Sequence, residues 1–141
     1  MPVYLVLTGL VHRIVASDIS AGSLESARRT AAKYCVQDKI TFITAPGLDW
    51  VFNPDKNITA DVDPVDTIDT VVIAGMGGET IAGILGDAPR IKDRDIKLIL
   101  QPQTKVDVLC RFLYDNEYTI NETKTVIDRA KTYTIIVARS R

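Results

Sequence analysis

Residues 71–85, VVIAGMGGETIAGIL, restrict the fold more than any other stretch. A β-branched apolar run ends on Gly75-Met76-Gly77-Gly78. A helical pattern follows at once, with Ile81, Ile84 and Leu85 on one face. The same strand-to-helix succession recurs on both sides. RIVASD (13–18) reads as a compact strand ending in an acid, and Ser20 caps a helix whose Leu24, Ala27, Ala31 and Tyr34 make one buried stripe. KITFITA (39–45) alternates as a strand. TIDTVVIAG (67–75) is a strand buried on both faces at its end. IKLILQ (96–101) is a buried strand broken by Pro102, and Thr104 caps a helix with Val106, Leu109, Cys110 and Leu113 inward.

Pro2 to Leu7 forms a short apolar helix stopped near Gly9. The prolines and aspartates of 53–66 follow no period and make a surface loop. Residues 118–139 read as two strands turning near Asp128 to Ala130. Strands alternating with helices mean a mostly parallel sheet covered on both faces, and the final pair adds an antiparallel hairpin at one edge. With 141 residues, 46% of them hydrophobic and 25% charged, this makes one soluble domain spanning 1–141.

No apolar run reaches the roughly 18 residues of a membrane span, and the N-terminus lacks the basic start and cleavage site of a signal peptide. Cys35 and Cys110 lie in separate helical patterns and read as free thiols in a reducing cytoplasm. The formal net charge of −1 argues against autonomous RNA binding. The basic candidates are Arg28, Arg29 and Lys33 on one helix, and Arg129, Lys131, Arg139 and Arg141 near the end.

Ligands of open α/β sheets sit beyond the carboxyl ends of the strands. Those positions are Asp18, the Ala45-Pro46-Gly47-Leu48 turn, Gly75-Met76-Gly77-Gly78 and Gln101-Pro102-Gln103. Asp18 suits the two hydroxyls of a nucleotide ribose, or else supports the next helix through its dipole. One glycine would make the tight turn after residue 74; three around a methionine describe a wall kept bare for a ligand near a helix N-terminus. No Gly-Lys-Ser/Thr follows, so this is no phosphate-binding P-loop. His12 is the only histidine and reads as a surface residue, which excludes a Ser-His-Asp arrangement. Asp55, Asp61, Asp63 and Asp66 lack the spacing of a calcium loop, so no metal site is expected. Asn53-Pro54 precedes the glycine strand where a base-holding pair would follow it. Trp50 and Phe52 cover the core edge.

RIVASDISAGSLESARRTA, VVIAGMGGETIAGIL and LILQPQTKVDVLCRFL together resemble the bacterial TrmK family, the tRNA (adenine-22, N1)-methyltransferases that use S-adenosylmethionine. The likeness implies a Rossmann-like class I methyltransferase sheet and cytoplasmic tRNA modification. It places Asp18, Ile19, Ala45, Pro46, Gly47 and Gly75 against the cofactor. Gly75, Met76, Gly77, Gly78, Gln101 and Pro102 would line the reaction side. Four departures accompany it. The family's opening strand and Asp-x-Gly-Ser-Asp-His-Ala-Tyr-Leu-Pro motif are matched only at Pro2, so the first strand is expected to be missing. Ala45-Pro46-Gly47-Leu48 replaces Gly-Asp-Gly-Leu, Gln103 stands where Asn is common, and the C-terminal coiled coil is not represented.

These departures predict impaired activity, or, alternatively, a non-catalytic domain that self-associates through an exposed strand edge. A nicotinamide-using enzyme is disfavoured by the closing strand pair.

Overall fold

A computed structural model describes residues 1–52 and 68–140, with the side chains of Asp49 and Phe52 left aside. The expected loop over 53–66, with its four aspartates and Asn53-Pro54, lies outside the described residues. The chain runs α1 (Pro2–Leu7), β1 (Ile14–Asp18), α2 (Ala21–Lys33), β2 (Ile40–Thr44), α3 (Asp49–Phe52), β3 (Thr70–Met76), α4 (Gly78–Gly86), β4 (Lys97–Pro102), α5 (Val106–Asp115), β5 (Tyr118–Asp128) and β6 (Lys131–Ser140). The predicted strand–helix alternation and the closing hairpin are all present.

The strands form two sheets. β1 pairs β2 in parallel; a second sheet has the order β3-β4-β6-β5, with β3 and β4 parallel and β6 antiparallel to both its neighbours. Ile14 and Ala16 of β1 face Val3 and Val6 of α1 and Ala31 of α2. Val15 and Ile43, on the opposite face, join the main core with Val71, Ile73, Leu98, Leu100, Ile81, Leu85, Leu109 and Leu113. The crossover helices α2 and α4 therefore cover opposite faces. Right-handed crossovers, the general rule for such units, put β2 and β4 outward and the free edges of β1 and β3 toward each other. That is the topological switch point, where this class of fold binds ligands. Among the described residues neither facing edge carries a strand partner, so the gap expected in the sheet falls there.

Four expectations require correction. β3 is buried on one face only: Val71 and Ile73 are covered, whereas Val72, Ala74, Gly75 and Met76 are exposed, because no described helix lies over their side. Pro102 belongs to β4 instead of breaking it; it pairs Met76 at the strand's last position, where the ring meets no ladder requirement for an N–H. Tyr34 closes α2 as an exposed C-cap, outside the stripe of Leu24, Ala27 and Ala31, with the Lys33 ammonium 5.8 Å from its ring. Thr104 does not cap α5. The cap is Lys105 in the left-handed region at φ 56°, with no side-chain capping bond.

Ser20 does cap α2, accepting the Ser23 N–H at 3.3 Å. Both cysteines are free. Trp50 is buried in the main core, its Nε1–H donating to the Gly47 carbonyl at 3.1 Å. No helix among the described residues is long and apolar enough to cross a membrane.

Candidate active site

Asp18 is the last residue of β1. Its Oδ1 accepts the Ser20 N–H at 2.7 Å, and its carbonyl accepts the Ala45 N–H at 3.2 Å. The carboxylate thus ties down the residue that caps α2, and this contact engages one of its two oxygens. Ile19 beside it is 74% exposed, an apolar surface without cover. Ala45 is buried, Pro46 is exposed, and Gly47 turns at φ +55° over Ile84 of α4. These residues make up one half of the candidate site, at the strand ends of the two-stranded sheet.

The other half is held together by three bonds between the β3–α4 and β4–α5 turns. The Gly75 N–H donates to Gln101 Oε1 at 3.0 Å, the Gln103 N–H to the Met76 carbonyl at 2.8 Å, and the Gly78 N–H to the Thr104 carbonyl at 2.7 Å. The glycines divide by role. A Cβ on Gly78 would lie 3.0 Å from the Thr104 carbonyl oxygen and closer still to that of Lys105; one on Gly77 would lie 3.1 Å from Thr104 Oγ1. These two are small so that one turn can pack on the other. Only Gly75, exposed at φ +80° with nothing nearer than Gln103 Nε2 at 3.9 Å, matches the bare wall read from the sequence.

Gln101 is also re-assigned by its contacts. Its Nε2 donates to the Pro102 carbonyl at 3.2 Å, so both ends of the carboxamide bind backbone. The structure thus brings Gly75, Met76, Gly77, Gly78, Gln101 and Pro102 into one bonded unit and Asp18, Ile19, Ala45, Pro46 and Gly47 into another. Gly47 over Ile84 links them. The role of Thr104 and Lys105 had no sequence signal. A glutamine ending the apolar run of β4 was the available hint for Gln101.

His12 is exposed, and no group of His, Cys, Asp and Glu among the described residues could hold a metal ion. Among the described basic candidates, Arg28 lies over Phe42 and near Glu25, Arg29 reaches Glu25 at 4.0 Å, and Arg139 holds Asp95 at 2.6 Å.

An acid-ended strand and a glycine turn on opposite sides of a switch point, above parallel strand pairs joined to an antiparallel hairpin, suit the methyltransferase class. A methyltransferase-domain family model matches residues 1–136, and the chain belongs to that family. Within it, the chain is similar to the tRNA (adenine(22)-N(1))-methyltransferase of Bacillus subtilis, 26% identical over 140 residues, as the resemblance implied. The match takes in 99% of this chain and 54% of the relative, so the chain spans about half that protein's length. The crystal structure of the B. subtilis m1A22 enzyme TrmK superposes with a TM-score of 0.78 at 26% identity, over 99% of this chain and 55% of that one. Streptococcus pneumoniae Sp1610, solved with S-adenosyl-L-methionine, gives 0.82 at 28% identity, over 99% and 60%.

Proposed function

We propose that this chain, as one domain, is the S-adenosylmethionine-dependent part of a cytoplasmic tRNA methyltransferase acting on N1 of an adenine, with impaired cofactor affinity. The observation that carries the reading is the pair of half-sites at the switch point: Asp18 and Ile19 on one side, the Gln101-bound Gly75 turn on the other. The residues present fit the adenosine end of the cofactor. Asp18 retains a carboxylate oxygen for a ribose hydroxyl, Ile19 offers an apolar flank for a purine, and the Ala45–Pro46–Gly47 turn borders it.

When bound, S-adenosylmethionine supplies an electrophilic methyl group. Adenine N1 carries its own lone pair, so no residue need act as a base, and the work left to the protein is orientation. Gly75 leaves room beside the reacting groups, while Gln101 and Pro102 hold that turn in place. The lack of a catalytic histidine is consistent with this chemistry. Among the described residues the facing edges of β1 and β3 carry no strand partner, so the cofactor would be covered on fewer sides, and weaker affinity is expected.

Titration calorimetry with S-adenosylhomocysteine tests the reading. The expected dissociation constant lies above about 100 μM, and Asp18→Ala removes the remaining heat. A micromolar constant would refute the impairment. Absence of binding at millimolar ligand would refute the methyltransferase reading for this chain.

A second reading rests on the same open edges. Unpaired strand edges recruit strands, and Val72 and Ala74 leave one face of β3 exposed beside them. In this reading the chain is a non-catalytic, self-associating domain. Light scattering then gives a dimer that Val72→Lys converts to monomer; a monomer at every concentration rejects it.

A further inference from the structure

Gly75 sits at an irregularity in the β3–β4 ladder. Ala74 pairs Gln101 and Met76 pairs Pro102, so β3 carries one residue more than β4 across that step. An extra residue at positive φ is the geometry of a glycine bulge, a device that re-aims the chain beside binding sites. The Gly75 N–H turns to the Gln101 side chain, and Met76 emerges 42% exposed. Gln103 behaves differently. Its backbone N–H is tied to the Met76 carbonyl, its side chain is exposed above Gly75, and its carboxamide bonds to no other described residue.

We propose that the two glutamines divide the work: Gln101 is a positioning residue that pins the Gly75 bulge, and Gln103 reads the edge of the acceptor base. The Gln103 half rests on the methyltransferase reading above. A carboxamide offers one donor and one acceptor, which match the N7 acceptor and N6 amino donor of adenine. Engagement of that edge leaves N1 unencumbered, as attack by N1 requires. Gln101 keeps one lone pair and one N–H beyond its two backbone bonds, but those bonds hold its carboxamide against the Gly75 turn.

Two measurements decide the two halves separately. In the ligand-free protein, exchange of the Gly75 amide proton is expected to rise at least about tenfold in Gln101→Leu. It stays near the wild-type rate in Gln101→Glu, which keeps an acceptor, and in Gln103→Leu. Amides of β4 and β6 serve as the fold control, and Gln101→Met replaces the leucine variant if that control fails. Unchanged Gly75 exchange in a folded leucine or methionine variant overturns the positioning role.

The second measurement is single-turnover methyl transfer to an RNA stem–loop bearing one unpaired adenine, or 7-deazaadenine in its place. Loss of N7 is expected to slow the wild type about tenfold, and Gln103→Leu to slow adenine transfer equally with no further loss on 7-deazaadenine. Additive losses, or none, overturn base reading by Gln103. No transfer by the wild type at all overturns the proposed function and the Gln103 half with it, while Gly75 exchange still decides Gln101.

Discussion

Gly78 and Gly83 lie five residues apart in one helix, yet a methyl group should have opposite effects at the two. At Gly78 it would meet the Thr104 and Lys105 carbonyls, backbone that cannot step aside. Gly78→Ala is expected to cost about 2–3 kcal/mol in urea unfolding. At Gly83 nothing lies within 4 Å and the residue is exposed in mid-helix, so Gly83→Ala should stabilise by about 0.5–1 kcal/mol. Tyr118 presents a different residue-scale case. It is 2% exposed, its hydroxyl finds no partner among the described residues, and burial pushes its pKa up to about 12. Above its ordinary pKa of 10 the unfolded chain ionises first. Stability is therefore fully present below pH 10 and falls as pH rises toward 12. Tyr118→Phe should remove that fall and leave stability at neutral pH unchanged or slightly higher, because no hydrogen bond is lost.

β5 and β6 are the longest of the described strands, and β5 is exposed along all but its first residue. β4 pairs only with residues 136–139 of β6, so the hairpin continues past the sheet to a two-residue turn between Asp128 and Lys131. Both turn residues, Arg129 and Ala130, have positive φ, at 47° and 64°. This is the turn the right-handed strand twist favours, made with residues that pay sterically for it. Arg129→Asn with Ala130→Gly is expected to stabilise by about 1–2 kcal/mol and raise the thermal midpoint. The turn's position was legible in the sequence from the two β-rich runs flanking it. Its left-handed backbone was not, since neither Arg nor Ala announces one.

At the scale of the molecule, the two sheets share a core but no ladder. A two-stranded sheet is marginal alone, so β1 and β2 depend on α1 and α2 on one face and the main core on the other. Hydrogen exchange should show β1 and β2 opening more readily than β4 and β6, which bury Leu98, Leu100, Ile136 and Ala138 completely. Equal protection in both sheets would mean that the gap between β1 and β3 is closed in solution. The half-sites fall on different sheets, so their spacing depends on the same gap.

Period and punctuation in the sequence were sufficient for the order of elements, the inward faces of α4 and α5, the Ser20 cap and the residues at the strand ends. Those are local properties, written in hydrophobic spacing and in the side chains that end helices. Tertiary structure alone decided that Gly77 and Gly78 let one turn pack on the other while Gly75 stays exposed at positive φ. It also spent the Gln101 side chain on a backbone amide, left the Gln103 carboxamide facing out, and put Lys105 where Thr104 was expected to cap. Each of these depends on two turns, about 26 residues apart in sequence, touching across a sheet. No periodicity within either turn records what the other brings against it.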